Sequence, residues 1–417
     1  MARPVTASQR RPRSYLFVVP WPVIDVGGVN QVVLNLCRQF EAEGTYVPKI
    51  LVASWDHVRP VTSDENGRSV SYMRLRPPVL SGAALTSIAK WVLFLLPDLT
   101  RLARYLRDNG VLHVNAHYPS LAALQFVLVA ALLRRRLILT LSFHGLELTQ
   151  AMRTVGLERW MWRLLIRSAD AVVTCSEAQR ELLLSFEPAV RPRATAIHNG
   201  IDIEHLMSSR NLVARIDPRL QGRPFILSVA SYELKKGLDT LLRAVKTLRD
   251  VHGVDVELAM VGSDLGMGNE LSRIAHRMDL SDHVVFCGEI PHADLHAYYE
   301  AARVFCLPSR VEPFGIVLLE AGAFRCPVVA TSVGGIPEIL ENDVNARLVP
   351  PDDPIALAAQ LQRLLSDSKE CERLGSALFD HVQAHFPWRR AHNAYMRLHG
   401  SGETLSGEAV DSKCLRT

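Results

Sequence analysis

The residues with the most distinctive chemistry lie in the segment 312–320, which reads EPFGIVLLE and follows an apolar run and a short loop. Pro313 and Gly315 predict a tight turn, in which a glycine lets backbone N–H groups at the start of the next helix approach a diphosphate. Glu312 lies at the loop end, where it can meet a sugar. Glu320 lies about one and a half helical turns further on, where a carboxylate can accept hydrogen bonds from ribose hydroxyls. The alternative is a strand–turn–helix junction with two solvated carboxylates.

Three residues of the first half occupy positions where ligands commonly bind. Gly28 belongs to a glycine pair at 27–28 that opens a helical pattern after the first apolar run, so it predicts a loop for a phosphate or an acceptor. His117 and His144 come at or just after the ends of predicted strands, and open α/β sheets bind ligands at the carboxyl ends of their strands. The alternative for each histidine is a structural role, because the chain has 15 of them.

The sequence lacks the common metal and cofactor motifs. No D-x-D follows a predicted strand, and no histidine and carboxylate group has metal-ligand spacing. Neither G-x-G-x-x-G nor G-x-x-x-x-G-K-S/T occurs, which excludes the usual NAD and P-loop sites. We therefore expect no metal and no cofactor.

The elements that must position these residues alternate between short apolar runs and longer helical patterns. In the first half, the runs predicted as buried parallel strands are 15–19, 49–53, 111–115, 137–141 and 171–174, with a helix at 29–40. In the second half, the predicted strands are 225–229, 254–261, 284–287 and 304–307, and the predicted helices are 237–250, 270–278 and 388–398. This alternation predicts an α/β fold of two doubly wound, Rossmann-like units.

The chain resembles the retaining glycosyltransferases of the GT-B fold, family 4 (glycosyl transferases group 1). That family has two glutamates with seven residues between them in its C-terminal domain, as Glu312 and Glu320 have here. The segments 285–288 (VFCG) and 331–338 (TSVGGIPE) are similar to its V-x-F-x-G strand beside the base pocket and to its T-x-x-G-G-x-P-E segment. The resemblance extends over about 15–398 and implies two Rossmann-like domains that face a central cleft, with a C-terminal helix that crosses back.

The resemblance also extends to the diphosphate clamp. The segment 229–237 (VASYELKKG) is similar to the family's V-G-R-L-x-x-x-K-G, in which a lysine and an arginine clamp the donor diphosphate, because an anionic leaving group needs fixed positive charge. Lys236 takes the lysine position, whereas Ser231 stands where the family has arginine and so removes one formal charge. Lys235 is either a substitute for that charge or an exposed residue at a helix start.

The resemblance implies a complete set of site residues. The expected catalytic residues are Lys236, Glu312 and His117. The expected donor-binding residues are Gly28, Lys236, Glu312, Phe314, Gly315, Ile316 and Glu320. The expected acceptor-side residues are His117 and His144. The segment NGID at 199–202 is similar to the element that closes the family's N-terminal domain, and we expect it to be structural.

The predicted organisation has six segments. In chain order they are a disordered basic arm (1–13), an N-terminal acceptor-binding domain (14–205), a linker (206–223), a C-terminal nucleotide-sugar-binding domain (224–386), a helix that packs back on the N-terminal domain (387–399) and a disordered tail (400–417). The linker is placed where the sequence becomes polar between the two sets of alternating elements.

Charge is distributed unevenly. The net charge is only +4, which argues against nucleic acid as a partner, but residues 1–200 carry 24 Lys and Arg against 14 Asp and Glu. This excess indicates an anionic partner such as a membrane surface. The alternative is that the arginines simply decorate solvated faces.

One region of the first half favours the membrane interpretation. The run 83–96 is apolar and contains Trp91, and Pro97 is predicted to begin a second helix on which arginines recur. The arginines concerned are Arg101, Arg104 and Arg107, and the run Arg134–Arg136 adds to them. A basic amphipathic helix with an aromatic anchor suits a bilayer surface, whereas the alternative is an ordinary surface helix. No apolar stretch reaches the roughly 20 residues of a bilayer span.

The seven cysteines form no C-x-x-C pair, which predicts reduced thiols and a cytoplasmic location. The charge excess and the basic helix add an expected peripheral position on the inner face of a membrane. The expected activity is that of a retaining hexosyltransferase that works without metal. It would use a UDP-sugar, or a GDP-sugar as the second choice, and a saccharide or lipid-linked acceptor in cell-surface polysaccharide or glycolipid synthesis. Two alternatives are a GT-B-like sugar-nucleotide epimerase, which would need no acceptor, and a non-catalytic scaffold, which Ser231 favours.

Overall fold

The computed structural model describes residues 13–23, 28–65, 67–78, 85–132 and 137–398. The predicted basic arm, apart from residue 13, lies outside the described residues. So do the predicted tail at 400–417 and the arginines 134–136.

Within the described residues, eight strands of the first half form one sheet. They are β1 Ser14–Val19, β2 Val47–Ala53, β3 Val61–Glu65, β4 Arg68–Met73, β5 Val111–His117, β6 Ile138–Phe143, β7 Ala171–Thr174 and β8 Ala194–Ala196. Their order is β3-β4-β2-β1-β5-β6-β7-β8, and every pair is parallel except β3 with β4. The carboxyl ends of the parallel strands therefore meet at one edge of the sheet.

A second sheet of six parallel strands follows in the described part of the chain. Its strands are β9 Phe225–Val229, β10 Glu257–Val261, β11 Val284–Gly288, β12 Val304–Leu307, β13 Val328–Thr331 and β14 Arg347–Val349. Their order is β11-β10-β9-β12-β13-β14. Two doubly wound sheets confirm the predicted α/β fold class.

Helices cover both faces of each sheet and bury an apolar core on each face. In the first half they are α1 Gly28–Glu43, α2 Leu85–Asp108, α3 Leu124–Leu132, α4 Leu146–Arg153, α5 Gly156–Ser168, α6 Glu177–Phe186 and α7 Ile203–Ser208. In the second half they are α8 Leu238–Asp250, α9 Gly268–Arg277, α10 Leu295–Ala301, α11 Ile316–Ala323, α12 Pro354–Ser366, α13 Ser368–His385 and α14 Trp388–Leu398.

The last helix, α14, returns to the first half of the chain. Trp388 and Tyr395 are buried in the same core cluster as Tyr15 and Phe40. The Tyr395 hydroxyl lies 3.1 Å from the Ser142 hydroxyl, within hydrogen-bond distance. The C-terminal helix therefore crosses back from the second half, as the predicted fold class requires.

One prediction about local structure is wrong, and one hairpin was not predicted. Pro97 does not begin a new helix but lies inside the continuous helix α2. A proline removes one helical hydrogen bond, yet Leu93, whose carbonyl loses that donor, is 70% exposed, so water can satisfy it. The hairpin of β3 and β4 was also missed, because β3 reads VTSDE and has no apolar alternation.

Candidate active site

The strongest concentration of predicted residues lies where the second sheet changes direction. From β9 the chain first builds outward through β10 and β11, and it then returns to place β12 on the other side of β9. The carboxyl ends of two such strands flank a crevice, the usual ligand site of this sheet type. Lys236 comes after β9 and Glu312 after β12, and their side chains meet there with Nζ 2.8 Å from Oε2.

This ion pair is largely shielded from solvent. The side chains of Lys236 and Glu312 are 16% and 8% exposed. Ser309 also donates a hydrogen bond of 3.1 Å to the same oxygen of Glu312. The site therefore holds one ammonium and one carboxylate in fixed positions, largely out of contact with solvent.

The turn after Glu312 is built as the sequence predicts. Gly315 has φ +98° and precedes the first residue of α11, Ile316, so a side chain at this position would be strained. Helix α11 begins four residues after Glu312, and the first N–H groups of a helix have no partner within the helix. Phe314 is different, because its ring is buried and stacks on His198 of the first half with centroids 5.5 Å apart.

Glu320 lies in the second turn of α11 and lines a cavity of about 250 Å³. Its Oε1 is 3.0 Å from Nε2 of His292, and its Oε2 accepts a 2.9 Å hydrogen bond from the Tyr299 hydroxyl. Sequence reasoning missed both partners, since neither residue belongs to the motif. Ile316 lines the same cavity, together with Asn35 and Arg38 of α1 from the first half.

The loop after β9 shows what stands in place of the missing arginine. Ser231 donates a 2.8 Å hydrogen bond to Glu233, and Lys235 forms a 2.9 Å ion pair with the same carboxylate. Burial would raise the pKa of Glu233, but its bonds with Lys235 and Ser231 hold it below the usual range. Arg310 is also engaged, through Asp239 and Asp352. Among these cations, Lys236 is the one that faces Glu312.

The first sheet has its own change of direction, between β1 and β5. Gly28 begins α1 after β1, and a methyl group on it would lie 3.5 Å from Cδ1 of Ile316, so the two helix starts face each other across the cleft. His117 ends β5 and His144 follows β6, and Nδ1 of the first lies 2.9 Å from Nε2 of the second. The structure thus brings both predicted histidines together.

Burial keeps this histidine pair neutral. It lowers the pKa of His144 to about 4 and the pKa of His117 well below its usual value, and His144 lowers the latter further. Nε2 of His117 is buried and has no hydrogen-bond partner among the described residues. At physiological pH the pair can therefore exchange hydrogen bonds but carries no charge.

Sequence reasoning overlooked a buried acid beside these histidines. Glu147, in the first turn of α4, accepts a hydrogen bond from the backbone N–H of His144 and is 2% exposed. Burial raises the pKa of Glu147 to about 7. Burial and, after it, the charge of Glu147 raise the pKa of Tyr118 to about 12; this tyrosine directly follows β5 and has the unusual φ of +53°. The HGLE segment at 144–147 could have signalled it, because its acid lies three residues after a predicted site histidine.

The two halves touch directly at the loop that contains Pro313. Ser176 donates a 2.7 Å hydrogen bond to the carbonyl of Pro313. Glu338 accepts hydrogen bonds of 2.8 and 2.9 Å from the N–H groups of Glu177 and Ala178, at the start of α6, and lies 2.7 Å from Nε2 of His198. Burial alone would raise the pKa of Glu338, but these hydrogen bonds hold it below the usual range.

One cluster brings a histidine and two carboxylates together, although their spacing in the sequence does not indicate a metal site. Asp255, Glu257 and His283, at or just before the starts of β10 and β11, bring ligand atoms within 4.8 Å of one another. Arg223 and Arg249 already pair with the two acids at 2.5 and 2.7 Å. The cluster lies at the amino end of β10, the opposite end from Lys236 and Glu312.

The chain matches two family descriptions in succession, "Glycosyltransferase Family 4" over residues 26–205 and "Glycosyl transferases group 1" over residues 213–379. It is 31% identical over 309 residues to the GDP-mannose-dependent alpha-(1-6)-phosphatidylinositol monomannoside mannosyltransferase of Mycolicibacterium smegmatis, covering 71% of this chain and 78% of the relative. It is 27% identical over 396 residues to D-inositol 3-phosphate glycosyltransferase 1 of Catenulispora acidiphila, covering 88% and 89%.

Solved structures agree with this assignment. The sucrose-phosphate synthase of Thermosynechococcus elongatus superposes with a TM-score of 0.70 at 25% identity, covering 93% of this chain and 98% of that one. HepE of Anabaena, solved with UDP and glucose, shares the fold with a TM-score of 0.70 at 18% identity and coverage of 93% and 100%. The order of the two sheets, the facing switch points and these relatives lead to one conclusion: the chain belongs to the GT-B glycosyltransferases of family 4, the glycosyl transferases group 1.

Proposed function

We propose that this glycosyltransferase moves a hexose from a nucleotide diphosphate sugar to a saccharide or lipid-linked acceptor with retention of the anomeric configuration. The observation that carries the proposal is the shielded Lys236–Glu312 ion pair beside the start of α11, with Glu320 further along the same helix. A UDP-sugar is the favoured donor and a GDP-sugar the second choice. HepE, solved with UDP-glucose, supports the first choice, and the relative named as GDP-mannose-dependent supports the second.

The proposed chemistry assigns a separate task to each charged group. Lys236 and the N–H groups at the start of α11 stabilise the negative charge that develops on the departing diphosphate. Glu312 positions the donor sugar, and Glu320 binds the ribose. The acceptor hydroxyl arrives on the same face of the sugar from the first half, where His117 and His144 lie. Gly28 contacts the donor phosphate from that side.

Binding and product analysis test this function together. Isothermal titration with UDP-, GDP- and ADP-sugars identifies the donor, and NMR of the anomeric proton after transfer reports its configuration. A product with inverted configuration would refute retention. Donor turnover without any acceptor would instead favour the epimerase alternative.

The Ser231 substitution is the feature that favours a non-catalytic scaffold. Its hydroxyl is engaged by Glu233, so it supplies no charge to a diphosphate. The intact pair of Lys236 with Glu312 argues for catalysis, because a scaffold gains nothing from a shielded ion pair whose desolvation is unfavourable.

Lys236→Ala should reduce turnover of the nucleotide sugar about 10²- to 10³-fold, because it removes a fixed charge at the leaving group. Binding of the free nucleoside should not change, since a nucleoside carries no diphosphate. Lys235→Ala is the matched control, and its effect should be much smaller because Glu233 holds that ammonium. Steady-state kinetics and titration with the nucleoside measure both. Equal losses for the nucleoside and the nucleotide sugar would contradict the assignment.

Activity should survive EDTA, because we propose that Lys236 and the α11 terminus, rather than a metal, neutralise the diphosphate. Turnover is measured after dialysis against the chelator and again after Mn²⁺ or Mg²⁺ is added back. The Asp255, Glu257 and His283 cluster lies at the far end of its sheet. The variant Glu257→Gln, which changes one of its carboxylates, is the control and should keep the same activity as the wild type with and without the chelator. Complete loss on chelation, with recovery on adding either ion, would contradict the proposal.

We also propose that the protein works at the cytoplasmic face of a membrane, in the assembly of a cell-surface polysaccharide or glycolipid. Within the described residues, no helix has both the length and the apolar character needed to cross a bilayer. Helix α2 instead exposes Val92, Leu93 and Leu96, which are 58%, 70% and 69% exposed. Further along, Arg101 pairs with the buried Asp98.

Arginines from three other positions surround that pair. Burial and the charges of Arg76, Arg74 and Arg59 lower the pKa of Arg101, so four guanidinium groups share one region beside the exposed apolar residues. Anionic lipid matches this combination, since each Lys or Arg near such a surface contributes about 1 kcal/mol. We therefore propose that an anionic bilayer binds the surface formed by the exposed apolar residues of α2 and the neighbouring arginines.

Replacing Arg104 and Arg107 together by Glu should reduce sedimentation with anionic vesicles at least about tenfold at low salt. Arg101 is left in place because it pairs with the buried Asp98, which Arg76 also contacts at 3.1 Å. The matched control is Arg273→Glu with Arg277→Glu on α9, where the same change in charge should have little effect. Wild-type protein that ignores phosphatidylserine vesicles, or a control pair that is equally impaired, would contradict this surface.

A further inference from the structure

The Glu320 carboxylate is held by hydrogen bonds at both of its oxygens. Nε2 of His292 lies 3.0 Å from Oε1, and the Tyr299 hydroxyl donates to Oε2 at 2.9 Å. The two partners come from the loop after β11 and from α10, so the acid is fixed from outside its own helix. Its remaining surface faces the cavity of about 250 Å³ that separates α11 from α1.

Hydrogen-bond capacity determines what this acid can still bind. An ionised carboxylate has about four acceptor sites, two on each oxygen. His292 and Tyr299 occupy one site on each oxygen, and no other hydrogen bond to the Glu320 carboxylate is formed within the described residues. One acceptor site is therefore left on each oxygen, facing the cavity. A ribose ring presents two adjacent hydroxyls, each a single donor.

We propose that His292 and Tyr299 are positioning residues, which orient the Glu320 carboxylate so that its two remaining acceptor sites receive the two ribose hydroxyls of the donor nucleotide. This inference rests on the proposed function, because it needs a nucleotide at this cavity. The preference for ribose would then depend on Glu320, His292 and Tyr299 together rather than on Glu320 alone. Neither His292 nor Tyr299 reacts or touches the transferred sugar.

The packing around Tyr299 makes this orientation rigid. Its ring is 1% exposed and is stacked on Phe324, with centroids 5.6 Å apart and an angle of 12° between the planes. Phe305 of β12 packs against it at 5.5 Å. The hydroxyl therefore has one direction available, and the carboxylate must meet it there.

Titration of His292 does not disturb the arrangement. The hydrogen bond with Glu320 raises the pKa of His292, while burial and Arg38 of α1 lower it. His205 of α7 is the other titratable group close to this ring. Nε2 carries a proton toward the carboxylate in both the neutral and the charged ring, so the orientation persists in either state.

Titration calorimetry with UDP and 2′,3′-dideoxy-UDP tests the proposal, with the GDP pair in their place if the wild type prefers guanine. The wild type should bind the ribonucleotide at least about tenfold more tightly than the dideoxynucleotide. Tyr299→Phe and His292→Ala should each reduce this ratio at least about threefold, mainly by weakening the ribonucleotide. His292→Gln keeps a donor and should restore part of the ratio.

Tyr298→Phe is the matched control, because the hydroxyl of this adjacent residue accepts a hydrogen bond from the N–H of Asp217 instead. Its ratio of ribonucleotide affinity to dideoxynucleotide affinity should equal that of the wild type. Thermal melts confirm that each variant is folded. Equal weakening of both nucleotides in Tyr299→Phe and His292→Ala, or an unchanged ratio, overturns the inference while the proposed function stands. A folded wild type that binds neither ribonucleotide overturns both.

Discussion

The structure depends on the close contact of backbone with backbone around Pro313. A methyl group on Gly334 would lie 2.0 Å from the carbonyl oxygen of Glu312, and one on Gly335 would lie 2.5 Å from that of Pro313. From the first half, Gly145 packs so tightly that a methyl group would lie 2.4 Å from the Pro313 ring, and Ser176 donates to its carbonyl. Since these contacts set where α11 begins, they also set the direction of Glu312 and the position of Glu320 about one turn after the start of the helix.

The charges of the site are arranged around a single shielded cation. Lys236 is held by Glu312 and Lys235 by Glu233, while the histidines across the cleft are neutral. An arriving diphosphate would find an ammonium that needs no reorganisation, which is the condition under which fixed charge stabilises a developing anion most strongly. Ser231 adds no charge, so in our proposal the N–H groups at the start of α11 carry a larger part of that task.

The sequence was sufficient for features whose cause is local. The run of apolar residues at β9, the turn at Gly315 and the spacing between Glu312 and Glu320 are short-range patterns, and the structure has them as predicted. The meeting of Lys236 with Glu312 required the order of the strands, which the family resemblance supplied. The partners of Glu320, the bonds from Glu338 to α6, and the Asp255 cluster could not be predicted, because each joins elements far apart in sequence through packing alone.

The same contacts indicate where a closing motion would have to act. The cavity at Glu320 has a volume of about 250 Å³, somewhat below the roughly 300–1,000 Å³ of typical ligand sites, so in our proposal the two halves move apart when a nucleotide sugar enters. The two places where the chain passes between the halves are bonded together, with the N–H of Ile201 donating to Phe386 at 2.7 Å and Gly200 packed on the Trp388 backbone. These crossings suit a hinge, since they stay close to each other during rotation. During such a rotation the contacts that Glu338 and Pro313 make with the first half would break and reform. Because the pKa of Glu338 is lowered, its carboxylate keeps these hydrogen bonds until the pH falls below the usual carboxyl range.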